Sequence, residues 1–453
     1  MTRAGRQRGR GGAIRSAGGG VLALLLSAAA LPVAAATPAD TPATQYRTAR
    51  APEYRTALAP EYRRPGTGAT RLISVAADGG PADGSSGNPV ISADGRVVAF
   101  TSDATNLVPG DTNGRADVFV RDLRKGGLQR VEDPLGPIHS PALSAGGRHL
   151  AYTAQDGDTS AVVVQDLGTG RTERADVDLP IGYENGGSPA ISADGRTVAF
   201  LVHDTDPATV GAQAVYLRDL RAGRTELVSF PVGPDEGHRG FRAPSLSGDG
   251  SKVAYQHVHG TPPRGDWSDL YVHDRATGGE TQADTTHDGT PANGPATGPL
   301  LSFDGSTLAF DSPASDLVPG KDPNGSHNPF VRDLRTGEVT RIDAVLPGPE
   351  GVLSVDGVSA DGSKLLLDTW PVHTTEDAEY LRDLRTGANV LVSPDKDGKP
   401  ANAVDARMDA RARTVVFGGH DSDGFVTDDT NGVQDVFVRT VRHGARPTPL
   451  PRP

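Results

Sequence analysis

A short pattern, Ser-x-Asp-Gly followed by an apolar run, returns along this chain at a nearly fixed interval. It reads "ISADGRVVAF" from Ile91, "LSAGGRHLAY" from Leu143, "ISADGRTVAF" from Ile191, "LSGDGSKVAY" from Leu246, "LSFDGSTLAF" from Leu301 and "VSADGSKLLL" from Val358, with a degenerate "RMDARARTVVF" from Arg407. Taking the Asp of each marker, or the residue aligned to it, gives 94, 146, 194, 249, 304, 361 and 411, so seven units of about 50 residues are present. A repeat of this length is one supersecondary unit that buries its faces only against its neighbours.

Each unit carries a second marker, from "DVFVRDLRKG" at Asp117 to a truncated "DVFVRTVRHG" at Asp435. Four strands per unit follow. Strand a ends at the Ser before the Asp-Gly turn, strand b is the "VVAF" run and strand c the "VFVRD" run. A tight turn then leads to strand d, as in "TELVS" (225–229) and "NVLVS" (389–393). Gly and Pro number 57 and 36 of 453 residues, without collagen-like periodicity, which suits many short strands. Four-stranded antiparallel sheets stacked radially bury each other's faces, so the expected fold is all-β, a seven-bladed β-propeller.

The ends of the repeat array support a closed ring. Unit seven stops after strand c, while "TGATRLISVAADGGPAD" (67–83) aligns without a gap to the strand-d region "TGANVLVSPDKDGKPAN" (386–402). Arg71 to Val75 is therefore expected to complete the last blade, leaving no open seam.

The combined pattern resembles the TolB-like family of β-propeller repeats, relatives of WD-repeat blades, over about residues 67–441. Unit seven departs most, lacking both turn markers. The resemblance implies a fold that serves binding proteins, assembly factors and enzyme domains alike. Some relatives carry a serine-hydrolase domain, but no G-x-S-x-G elbow is found here. A TolB-type assembly role would need a partner domain ahead of the propeller, where a short linker is read instead. Another propeller group resembling this one comprises lyases holding a metal with several histidines. His257, His259, His203 and His420 fall near strand b, yet no compact His/carboxylate spacing supports such a site. Strand-a residues Asn88, Ser140, Ser188 and Gly298 present no paired acid and base.

Outside the repeats, Arg3, Arg6, Arg8, Arg10 and Arg15 precede "VLALLLSAAALPVAAA", which reads as a secretory signal peptide over 1–36 cleaved at Ala36/Thr37. Residues 37–66 and 442–453 read as disordered linker and tail, and 67–441 as the propeller. No later run is apolar enough to span a bilayer, so a secreted, extracellular protein without a transmembrane anchor is expected. Losing five arginines lowers the formal charge from −12 to about −17 and argues against a nucleic-acid partner. With no cysteine, disulfides and thiolate chemistry are excluded.

Asp122, Asp219, Asp333 and Asp383 recur at one turn in separate blades and read as structural caps. Asn-Gly loops between strands b and c, by contrast, occur in blades one, five and seven. These are the blades entered by a D-G-x-P-A-[DN] loop at 78–83, 288–293 and 397–402. Both loops emerge at the same face. They bring together Asp78, Asp83, Asp111, Asn113 and Asp117 in blade one, and Asp397, Asn402, Asp429, Asn431 and Asp435 in blade seven. Such oxygens suit calcium, but the bidentate Glu of an EF-hand loop is missing, and Asn-Gly turns capped by Asp explain the same residues. No cofactor is required by this reading; calcium is the one ion the loops could hold. The function expected is a monomeric, non-enzymatic binding module for an unknown protein or polysaccharide, using the loops of one face. The alternative is a carbohydrate-active lyase or hydrolase at the channel mouth, marked by two or more His or carboxylates converging there.

Overall fold

A computed structural model describes residues 68–441 except 181–182, 205–212, 230–237, 261–266, 321–326, 343–350, 372–377, 421–422 and 428. The signal peptide, linker and tail expected at 1–36, 37–66 and 442–453 lie outside the described residues, as does the Asn-Gly loop of blade five. The described residues form seven four-stranded antiparallel sheets, six of which run in sequence order from strand a to strand d. In the seventh, Thr70–Leu72 pairs with strand c at Gln434–Thr440, matching Thr70 to Arg439, Arg71 to Val438 and Leu72 to Phe437. The chain is a seven-bladed propeller whose first strand completes its last blade.

Period-two alternation decides what each blade buries. In five blades an aromatic of strand b faces one of strand c at the same register. The pairs are Phe100–Phe119, Phe200–Tyr216, Tyr255–Tyr271, Phe310–Phe330 and Phe417–Phe437, with ring centroids 5.6–6.4 Å apart. Cross-strand aromatic pairs add to area burial and pin the register. Small residues on the opposite face, such as Ala99 and Ala309, let the neighbouring blade pack close.

The turns are capped as their composition dictates. Ser92 donates to Asp94 at 2.7 Å and accepts from the Val97 amide at 2.9 Å, while Asp94 also accepts from the Arg96 amide. Unit seven puts Asp409 in the place of that serine, where it accepts from Arg413 and Thr414, and Ala412 takes the left-handed conformation held elsewhere by glycine. The recurrent Asp of the c-to-d turn is a structural cap: Asp333 accepts from the Arg335 and Thr336 amides at 2.8 and 3.1 Å, and Asp122, Asp219 and Asp383 do likewise. Strand d is shorter than its sequence pattern, ending at Leu227 and Leu391 in blades three and six. The serine beyond continues the edge with its side chain: the Val215, Glu379 and Val436 amides donate to Ser229, Ser393 and Ser74 at 2.9–3.1 Å.

Two further features shape the centre. A bulge interrupts every strand a at one place, with Asn88, Ser140, Ser188 and Asp405 at positive φ. Past it, Ile91, Leu143, Ile191, Leu246, Leu301, Val358 and Met408 narrow the lower channel to a cavity of roughly 200 Å³. Backbone hydrogen bonds link every neighbouring pair of blades there, including Ala145 to Ala193, Ala360 to Ala410 and, across the closure, Ala410 to Ala93 at 3.1 Å.

Candidate functional site

In blade one the acidic loops are held by protein groups. Asp78 accepts from the Gly80 amide at 2.9 Å, and Asp83 accepts from the amide and hydroxyl of Thr105, which hold its carboxyl below the usual range. Asp111 and Asp117 are buried and face one guanidinium: Arg130 pairs directly with Asp111 and lies 3.7 Å from Asp117. Asn113 donates to Asp117 at 2.9 Å and accepts from the Arg115 amide. Burial nevertheless pushes the Asp117 carboxyl up to about 6, against the pull of Asn113 and Arg130.

Blade seven divides similarly. Asp397 is exposed and paired with Lys396 at 2.8 Å. Asp435 is fully buried and accepts from Ser74 at 2.5 Å and Asn431 at 2.7 Å, while Asn431 also donates to the Ala82 carbonyl of blade one. Asp429 is buried beside the same loop, and the Asn402 side-chain amide oxygen is buried without a hydrogen bond. Among the described residues no three His, Asp or Glu side chains converge tightly enough to hold a metal ion. Arg130, the counter-charge of blade one, lies on strand d and carries no motif that links it to the loops.

The four histidines near strand b lie within it, but only His257 is buried, and His203 and His420 are exposed. His257 is buried in strand b of blade four, 5.0 Å from the rings of both Phe241 and His259. His259 contacts Asp269 at 2.8 Å, and His203 contacts Gln213. His203 and His420 belong to strand b itself (Thr197–Asp204 and Thr414–His420), because these strands run longer than their apolar cores.

A cavity of roughly 310 Å³ opens on the loop-bearing face at blade two. Only Gly157 and Asp158 separate strands b and c there, whereas residues 103–116 do so in blade one, so the short hairpin leaves a notch. Asp156, Thr159, Ser160, Arg174 and Asn185 line it over Ala154, Ala161 and Leu135. Its wall is tightly built. The Ser160 amide donates to Asn185 at 2.9 Å, and the Ser160 hydroxyl donates to the Gly186 carbonyl at 3.0 Å. Arg174 grips the buried Asp176 through two nitrogens, and a Cβ on Gly186 would sit 2.6 Å from that carboxylate.

A carboxyl pair lies at the channel wall in blade six. Glu379 is fully buried, no donor reaches either of its oxygens, and it faces Asp356 on the bulged strand a. Two facing acceptors meet only by sharing a proton; burial accordingly pushes both carboxyls up, with Arg407 opposing. Sequence reading missed this pair, although the repeats carry its signal. At the place of Glu379 the other blades have Val118, Val162, Val215, Leu270, Pro329 and Val436, and five blades have proline at the place of Asp356.

No protein-family model matches the chain, and no curated protein does. Solved structures do. A manganese-bound oligogalacturonate lyase superimposes with a TM-score of 0.55 at 13% identity, covering 83% of this chain and 99% of that one. The propeller domain of the Trilobed protease from Pyrococcus furiosus does so at 0.52 and 12% identity, covering 79% and 95%; its velcro is open, whereas here the last blade is completed by the first strand. TolB from Acinetobacter baumannii is also similar, at 18% identity and a TM-score of 0.40, covering 71% and 66%. The property shared with the first two is the β-propeller fold.

Proposed function

We propose that this chain is an exported, monomeric, non-enzymatic propeller that binds a protein or glycan partner through its loop-bearing face and requires no metal to do so. The observation that carries this reading is the walled cavity at blade two, which lies on that face and is preorganised by Asn185, Ser160 and the Arg174–Asp176 pair. Arg130 supports the metal-free part, since it already pairs with Asp111. A binding screen of residues 37–453 against cell-wall polymers, plant polysaccharides and secreted proteins, with product analysis, tests it. Retention of a partner without new products is expected, and turnover of a polysaccharide would overturn it.

A second reading, a carbohydrate-active lyase or hydrolase at the channel, is favoured by the Asp356–Glu379 pair alone. Buried carboxyls with raised proton affinity are the groups acid–base chemistry uses. If this reading holds, Glu379→Gln removes polysaccharide turnover while leaving loop-face binding intact; turnover that survives the substitution rules the pair out.

A further inference from the structure

We infer that the cavity at blade two is a subsite for one neutral, hydroxyl-rich sugar ring of a glycan; this rests on the loop-face reading and gives it a ligand class. The lining has two characters. Ala154, Ala161 and Leu135 form an apolar floor, and Asp156, Thr159 and Ser160 stand at its edge with acceptor oxygens, the two hydroxyls donating their own protons to the Asp156 and Gly186 carbonyls. A pyranose has the matching halves, C–H faces and a rim of hydroxyls that each donate and accept. The volume, roughly 310 Å³, is at the small end of ligand sites, which suits a single ring.

Charge narrows the class further. Arg174, the cation in the lining, is committed to Asp176 through two hydrogen bonds of 2.7 and 3.2 Å, while the Asp156 carboxylate is exposed at the rim. The local field is therefore neutral to negative, on a chain of formal charge −12. Uronates, sulfated sugars and phosphates are repelled. A peptide is disfavoured on different grounds: strands b and c of blade two pair along their full length from His149–Asp166 to Asp156–Thr159, so the hairpin beside the cavity presents no open edge for strand addition.

The geometry also explains why the wall is rigid. Asn185 adopts φ 58° with its side chain accepting from Ser160, a conformation uncommon for a residue with a side chain, and Gly186 is required where the backbone presses on Asp176. A preformed wall lowers the ordering cost of binding a small polar ring.

The test uses the mature chain and two variants, Asp156→Ala at the rim and Thr159→Trp, which fills the cavity from the exposed first residue of strand c. Probes are cellohexaose, xylohexaose, mannohexaose and chitohexaose, with polygalacturonate and immobilised secreted proteins as contrasting classes, read by isothermal titration and retention. At least one neutral oligosaccharide is expected to bind, about tenfold more weakly after Asp156→Ala and not detectably after Thr159→Trp, whose melting temperature reports that it is folded. Neutral binding unchanged by both variants overturns the inference. So does binding confined to polygalacturonate or to a protein, although that result leaves the loop-face reading standing; failure of every class to bind overturns both.

Discussion

Asp111 and Asp117 share one guanidinium, so Arg130→Met leaves two buried carboxylates without their counter-charge. Breaking such a pair costs about 3–5 kcal/mol, and chemical denaturation should show a loss of that order. Calcium at millimolar concentration, against a chelator control, is expected to leave the wild-type melting temperature unchanged; a rise of several degrees would assign the loops to the ion. A second residue-scale expectation concerns Asp311, whose carboxyl accepts from the Val355 amide and is pushed up to about 8 by burial. Because the folded state holds its proton more tightly than the unfolded chain does, the associated stability is complete below about pH 4. It drains away as pH rises toward 8. Asp311→Asn keeps an acceptor for Val355 and should flatten the decline in melting temperature between pH 5 and 9; an unchanged slope removes the assignment. None of this was readable from spacing. The Asn-Gly motif located Asp111 and Asp117 but could not locate Arg130, which reaches them from strand d only after the blade has folded.

At the scale of the strand, most of the architecture was legible because turn chemistry is local. Ser92, Asp94 and Asp122 cap the turns where their recurrence placed them. The closure strand was legible as well, since residues 67–83 repeat the pattern of 386–402. The strand-a bulge was not, because a bulge is defined by the partner strand; the recurring proline at 89, 141, 189, 244 and 299 was its one linear trace. Strand d was read two residues too long for a related reason: a serine that mimics the backbone acceptor looks, in sequence, like one more strand residue. Ser393 accepts from the Glu379 amide and donates to the Ala401 carbonyl, both at 2.9 Å. Ser393→Ala should therefore cost about 1–3 kcal/mol, measured as a shift in the denaturation midpoint, and a change under about 0.5 kcal/mol would reduce the serine to filler.

Across the whole molecule, the first and last blades are joined by Thr70–Leu72 at the outer edge, by Asn431 to the Ala82 carbonyl on the loop face and by Ala410 to Ala93 at the inner edge. Removing residues up to 76 takes away the outer join, the Ser74 contact with Asp435 and the buried Ile73. The expected result is a marked fall in melting temperature, and a value within about 2 °C of wild type would show that the remaining joins suffice. The inner ring of hydrogen bonds has one more consequence. It passes through the closure with the same pair of aligned residues that joins blades two to three, three to four, four to five and six to seven, so the centre does not mark where the chain starts. A molecule built this way is a circle cut open at one point. Fusing residue 441 to residue 68 through a short linker and cutting instead at the Gly157–Asp158 turn moves the cut and leaves the circle as it was.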